Sequence, residues 1–471
     1  MSSRARLPLI LLLVLVIARF YDLEIRPPHH DEAVNGWFVD GMFKKGFYQY
    51  DPHNYHGPLY FYFLAFSEML FGRSLHALRF VTVFFGALLT FIPFLYRRWI
   101  GEKAAWIGAF VLALSPAVVF YSRYAIHEVP FSFFTALFFY FWLRAREEEF
   151  SWKILLGLGL SLGTLACLKE NFVIFLGCLF IAEVMTRVYG KEFKFPKKYS
   201  YYAGMSLIGF LIVAVVYSAF GRDPDGISNF FQAFNFWSET GTKGNGHQKP
   251  FEYWFKVFGS YEWATLIGVF LSVLALKKVP SPIRLLSVMS MGLLMAYSIV
   301  NYKTPWCLLS FQWGFVLIFA YWCSQYWKKY QTWIMILFGI IAVQSAYQAI
   351  DVSYVNVDSE NSYYIYGQTY RDIMPPIQKI LDQVRADSVQ KNNIKIQIIS
   401  GYTWPLPFLL GELNQVAYHN EQNAPERLDA DYVFIDESLE AKFAMRIMGS
   451  YSREVYRARQ WASPMVIFKK Q

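Results

Sequence analysis

Six short stretches combine side chains able to do acid–base or phosphate chemistry: "HHDE" at 29–32, "DPHNYHGP" at 51–58, "SRYAIHE" at 122–128, "KEN" at 169–171, "GHQKP" at 246–250 and "NYKTPW" at 301–306. Asp31 and Glu32 are adjacent, so on a helix they diverge by about 100° and cannot serve one small centre equally. One is expected to do chemistry and the other structure. A carboxylate here suits a general base toward an incoming hydroxyl. The same pair, following Pro27–Pro28, also reads as the acidic first turn of a helix, and the two roles are compatible. Lys169, Arg123 and Lys303 sit in short turns, where a cation can neutralise a phosphate attached to a lipid. Snorkelling to headgroups is the alternative for such residues. His29 and His30 with Asp31 contain enough ligands for a divalent metal, but no firm ligand spacing exists; hydrogen-bonded loop histidines are the other reading, and no cofactor is expected. His56, Glu128, Glu170, His247 and Tyr302 lie in the same stretches and are candidates for substrate contacts.

The elements that hold these groups follow from composition. The chain has 471 residues, 55% hydrophobic and only 17% charged, with apolar runs near membrane-spanning length along most of it. A soluble chain has nowhere to bury that much surface, so this is a polytopic membrane protein. Candidate spans fall at 7–24, 80–96, 104–122, 126–143, 153–168, 171–187, 203–220, 261–276, 285–300, 305–324 and 331–348, about eleven transmembrane helices. The first has the basic start of a signal peptide without a convincing cleavage site and reads as an uncleaved anchor. With the N-terminus inside, the cytoplasmic loops carry Arg97, Arg98 and Lys103; Arg144, Arg146 and Lys153; Arg187, Lys191, Lys194, Lys197 and Lys198; Lys277, Lys278 and Arg284; and Lys328 and Lys329. That is the positive-inside pattern. All six chemical stretches then fall on the opposite, extracytoplasmic face (periplasmic in a Gram-negative cell), as does the C-terminal tail. Ionisable groups gathered at one face of a bilayer mark a functional site. The net charge of +9 reflects loop topology rather than nucleic-acid binding. Cys167, Cys178, Cys307 and Cys323 lie in or beside apolar spans and are expected to be core residues.

Two domains are expected: residues 1–350, transmembrane, with outer loops at 25–79 and 221–260; and residues 351–471, a small extracytoplasmic α/β domain. In the first loop, "GPLYFYFLAFSEMLFG" is too short to cross comfortably and suits an interfacial helix. In the second domain "IKIQIIS", "DYVFIDE" and "PMVIFKK" read as strands, and "DIMPPIQKILDQVRAD" and "ESLEAKFAMRIMGS" have helical spacing.

"DEAVNGW", "LACLKEN", "SRYAIHEVPFSFF", "GHQKPFEYW" and "NYKTPWCLL", in this order, resemble the GT-C superfamily of glycosyltransferases of the protein O-mannosyltransferase and aminoarabinose-transferase type. The nearer resemblance is to its flippase-activity-associated branch in archaea and bacteria, which "YYIYGQTYRDI" and "GYTWPLPFLL" extend into the C-terminal domain. The resemblance implies a mainly α, GT-C type membrane protein that transfers a sugar, with inversion, from a polyprenyl-phosphate donor to an unidentified acceptor. It implies Asp31 as general base, Glu32 as a supporting acid and Lys169 on the carrier phosphate; position adds Arg123 and Lys303. A leaving phosphate needs charge neutralisation more than protonation, so cations replace the general acid of a glycosidase. The competing reading is a transporter or flippase-associated protein for lipid-linked sugars, without transfer chemistry. It would want polar groups midway along the spans; apart from Glu183, near the end of one span, few are present.

Overall fold

The computed structural model describes residues 3–54, 56–190, 199–243, 246–276 and 279–471. Tyr55 and the loop cations Lys191, Lys194, Lys197, Lys198, Lys277 and Lys278 lie outside the described residues. The chain divides into two compact units: Met1–Leu23 with Lys45–Val355, and Glu24–Lys44 with Asn356–Gln471. The "HHDE" stretch therefore folds with the C-terminal segment, not with the helices that flank it in sequence.

The first unit is helical, and each expected span falls on a helix, from Ser3–Ile17 through Leu75–Leu95 to Ser281–Ile299. The last two spans form one helix, Leu309–Ile350, with non-helical backbone at Tyr330. By length and apolarity alone, four of the described helices can cross a membrane: Leu75–Leu95, Tyr199–Tyr217, Ser281–Ile299 and Pro305–Val355. The pair Glu102–Leu114 and Pro116–Ser122, bent by 57°, makes a fifth. This is fewer than the expected eleven, and geometry shows why. Trp263–Leu274 has 12 residues, which at 1.5 Å per residue is about 18 Å against a hydrocarbon core of about 30 Å.

The bent pair is built by local chemistry. Pro116 opens the new helix, and the Ser115 hydroxyl caps it by accepting from Val118 N at 3.2 Å. The carbonyls of Leu112 and Ala113 receive the buried Arg19 guanidinium at 2.8 and 2.9 Å. On the other side of the break, the buried Glu262 carboxylate accepts from Ala117 N at 2.7 Å. Backbone groups freed at the break thus find partners without water, as an apolar surrounding demands. Elsewhere small residues set the packing. A Cβ on Gly159 would lie 2.6 Å from Ile208 Cβ, and one on Gly163 2.7 Å from Ile212 Cβ, so Trp152–Leu168 and Tyr199–Tyr217 approach more closely than larger residues would permit. All four cysteines are buried free thiols.

The second unit holds a five-stranded sheet in the order β2-β1-β3-β5-β4. Its strands are β1 (Lys395–Ile399), β2 (Gln415–His419), β3 (Tyr432–Asp436), β4 (Tyr451–Tyr456) and β5 (Met465–Lys470). β1 pairs in parallel with β2 and β3, while β5 is antiparallel to both β3 and β4. Strand alternation assigns Ile396, Ile398, Phe434 and Ile467 to one face, covered by Ile377, Ile380 and Val384 of the Met374–Ala386 helix. Ile399, Val433, Ile435 and Val466 face the other way, under Leu428 and Phe443. The three expected strands are β1, β3 and β5, and the Pro375–Pro376 pair marks a helix start. β2 and β4 were not foreseen: both are half-exposed edge strands without a continuous apolar run. The second expected helix is shorter than its pattern, Glu437–Phe443 followed by a 3-10 turn at Ala444–Arg446.

Candidate active-site residues in the two units

In the second unit, Asp31 and Glu32 take different parts. The helix His30–Lys45 begins directly after His29. Glu32, fully buried, turns back to accept from His29 N at 2.9 Å, which is the return half of a capping box. His29 supplies the other half: its Nδ1 accepts from Asp31 N at 3.1 Å. The His29 Nε2 lies 2.9 Å from Tyr366 O, so the ring bridges two backbone segments. Burial pushes the His29 imidazole down to about 4, against the opposing pull of Asp31 and Glu32. It is neutral at ordinary pH, which its acceptor role at Nδ1 requires. His30 is also lowered by burial, partly offset by Asp31, and its Nδ1 lies 3.0 Å from Arg459 Nη1.

Asp31 is the one presented. Its side chain is 42% exposed, whereas that of His29 is 5% exposed. The loop before it is fixed by Gln368 Nε2 donating to Pro27 O and Thr369 Oγ1 to Pro28 O, both at 2.8 Å. A carboxylate on a capped helix start, held by two side-chain tethers, is pre-positioned rather than mobile. The histidines here are committed to hydrogen bonds, and among the described residues no group of three His, Cys, Asp or Glu side chains is placed to hold a metal ion.

In the first unit, Lys169 and Glu170 form the turn between helices Trp152–Leu168 and Phe172–Gly190. Lys169 Nζ donates to Glu128 Oε1, both side chains being buried. Burial alone would lower the ammonium; the Glu128 carboxylate outweighs it and holds the group above its ordinary range. Glu170 is also buried, and neither of its carboxylate oxygens accepts a hydrogen bond among the described residues. Its neighbour is His56, whose Nδ1 is 3.7 Å from Oε2. Gly57 makes this approach attainable: a Cβ there would lie 2.1 Å from Cys167 O. Gly57 N also donates to Leu168 O at 3.2 Å. His127, absent from the sequence-derived candidates, packs tilted between His56 and Tyr60, with ring centroids 4.8 and 4.2 Å away. Its Nε2 is buried without a hydrogen-bond partner among the described residues. Its signal was its place in "SRYAIHE", one residue before Glu128.

The other expected cations are engaged in backbone contacts. Arg123 Nη1 donates to Arg19 O at 2.9 Å and to Tyr21 O at 2.5 Å, Nη2 donates to Asp22 O at 2.5 Å, and the guanidinium covers the Tyr354 ring at 4.3 Å. Lys303 Nζ donates to Lys249 O at 3.0 Å and Val300 O at 2.5 Å, and burial lowers it. Both therefore anchor chain segments, a use that spacing does not reveal. His247 and Tyr302 do meet, with ring centroids 4.9 Å apart, beside a Lys303 N to His247 O bond of 3.0 Å.

Residues 55–218 match the family model described as dolichyl-phosphate-mannose-protein mannosyltransferase. A curated uncharacterized protein of Aquifex aeolicus (strain VF5) is 29% identical over 158 residues, covering 32% of this chain and 30% of that relative. The chain therefore matches about a third of the length of that relative. Among solved structures, ArnT from Cupriavidus metallidurans bound to undecaprenyl phosphate superposes with a TM-score of 0.70 at 12% identity, over 99% of this chain and 98% of that one. The archaeal oligosaccharyltransferase AglB from Archaeoglobus fulgidus, in complex with an inhibitory peptide and a dolichol-phosphate, gives a TM-score of 0.57 at 13% identity, over 98% and 75%. Arabinofuranosyltransferase AftD from Mycobacteria gives 0.53 at 10% identity, over 100% and 40%. These structural likenesses, all at 13% identity or less, show the fold: a mainly helical, GT-C type fold with a small C-terminal sheet, in a chain whose long apolar helices make it a multi-pass membrane protein.

Proposed function

We propose that this protein is an integral-membrane glycosyltransferase that moves a sugar from a polyprenyl-phosphate donor to an acceptor hydroxyl on the extracytoplasmic face, with inversion. In this reading the shorter apolar helices also cross the bilayer, giving about eleven spans, and residues 351–471 form an extracytoplasmic domain together with the "HHDE" segment. Asp31 takes the proton of the acceptor hydroxyl as its oxygen bonds to the anomeric carbon, and the bond from that carbon to the phosphate oxygen breaks. Lys169 neutralises the departing phosphate. Glu128 accepts a hydrogen bond from one of its three ammonium N–H groups, leaving two for the carrier. Glu170 and His127 offer the sugar buried acceptors with His56 beside them, and His247 with Tyr302 extends the substrate contacts. Arg123 and Lys303 support the phosphate role from outside it, by fixing the segments around them.

The observation that carries this reading is the division of labour at residues 31 and 32, on a chain with the fold of such enzymes: Glu32 is consumed as a cap, so Asp31 is left presented. A pure conduit is less well supported, because Glu183 is held by Arg146 at 3.1 Å and Arg187 at 3.0 Å. Asp31→Asn tests the reading. It should fold and insert normally and lose transfer from a polyprenyl-phosphate sugar by roughly 10²- to 10⁴-fold, the usual worth of a general base. Undiminished transfer removes Asp31 as the base.

A further inference from the structure

Asp31 is flanked by aromatic rings that neither the proton transfer nor the fold of the second unit requires to be exposed. Trp404 lies 5.8 Å from the His30 ring and 6.2 Å from Trp37, the latter pair at 83°. The Tyr366 segment also reaches this loop, its carbonyl oxygen lying 2.9 Å from His29 Nε2, two residues before Asp31. Tyr366 meets Trp461 edge-on at 5.0 Å and 76°. Trp37 is 49% exposed and Trp461 is 71% exposed. Leaving such rings in water forgoes about 25 cal/mol for every Å² of apolar surface. Trp461 also sits at a φ of 63°, where a bulky side chain is an outlier whose strain the surrounding structure must hold.

We propose that the acceptor is a carbohydrate, its sugar ring held on Trp404 and Trp461 so that one hydroxyl reaches Asp31. The inference rests on the reading of Asp31 as base and adds the chemical class of what the base acts upon. A pyranose has an apolar C–H face that packs on an indole and a rim of hydroxyls that need polar partners. Rigid aromatic side chains supply that contact at low entropy cost, and a few convergent polar groups fix orientation. Tyr366 and Asp31 are such groups. A peptide added as a strand would be held through main-chain bonds along a sheet edge, and the aromatic group is built from loops and a helix. A phosphorylated lipid acceptor would need cations to spare. Arg459, the cation facing these rings, is bonded to Gly367 O at 3.2 Å and meets His30 at 3.0 Å.

The test is binding by the full chain in detergent, followed by tryptophan fluorescence and saturation-transfer NMR. The probes are gluco-, manno- and galacto-trisaccharides, with serine- and threonine-containing hexapeptides as the contrasting class. At least one trisaccharide should bind saturably to the native chain. Trp404→Ala and Trp461→Ala should each weaken it at least tenfold, and Trp461→Tyr, which keeps an aromatic face, should recover most of the loss. Retained trisaccharide affinity in both alanine variants overturns the proposal, as does saturable binding of the peptides alone or of neither class. If Asp31→Asn still transfers while binding depends on the tryptophans, the base assignment fails and the acceptor class stands. If Asp31→Asn abolishes transfer and no trisaccharide binds, the reverse holds.

Discussion

Replacing Glu32 by alanine should injure the fold rather than the chemistry. The Glu32 carboxylate is fully buried and accepts from His29 N at 2.9 Å. A hydrogen bond to a charged group contributes about 1.5 to 3 kcal/mol, and an orphaned buried N–H costs a similar amount, so a loss of about 2 kcal/mol is expected. For a unit of this size each kcal/mol shifts Tm by roughly 3 to 5 °C, giving a fall of about 6 to 10 °C. Asp31→Asn removes only a half-exposed charge near a helix N-terminus, a change of under about 1 kcal/mol. Differential scanning fluorimetry of the purified chain, run beside a transfer assay below both melting temperatures, separates the two. Glu32→Ala should melt early yet retain measurable transfer, and Asp31→Asn should melt normally and transfer nothing. Equal melting temperatures, or loss of transfer in the Glu32 variant with retention in the Asp31 variant, would refute the reasoning.

Two further outcomes follow from buried ionisable groups. His29 titrates near 6.5 when unfolded and at about 4 when folded, so between those values the unfolded chain binds more protons and stability falls as pH falls. The full loss is about 3 kcal/mol by pH 4. Melting curves from pH 7 to pH 4 should show it, and His29→Asn, which caps through its own oxygen, should flatten the dependence. Glu128→Leu alone strands the Lys169 ammonium and should destabilise the first unit by about 3 to 5 kcal/mol. Lys169→Met with Glu128→Leu should restore the melting temperature without restoring transfer. Recovered transfer in the double variant would contradict the phosphate role of Lys169.

The membrane class, the helical stretches and three of five strands were legible because they rest on runs and alternation, which are local. The strands without apolar runs escaped. The bent pair carried its own signal, Ser115–Pro116 inside an apolar run, yet a run is blind to direction and reads as one span. At the candidate site, the sequence brought these stretches forward but could not divide roles within them. Asp31 and Glu32 differ in use because a histidine occupies the N-cap, a position where Ser, Thr or Asp is the usual cue. Arg123 and Lys303 were read as free cations because their acceptors are backbone carbonyls, which every residue has and no motif marks. Trp404 and Tyr366 meet His30 and His29, the residues just before Asp31, across more than 300 residues of sequence, beyond any periodicity.

The most direct measurement of the central claim is a single-turnover assay on the purified chain in proteoliposomes, with a polyprenyl-phosphate sugar labelled in both the sugar and the phosphate. The account requires the labels to part: sugar on an acceptor hydroxyl with inverted anomeric configuration, phosphate left on the lipid, and both dependent on Asp31. A lipid-linked sugar that changes leaflet with its sugar–phosphate bond intact, at the same rate in Asp31→Asn as in the native chain, would contradict it.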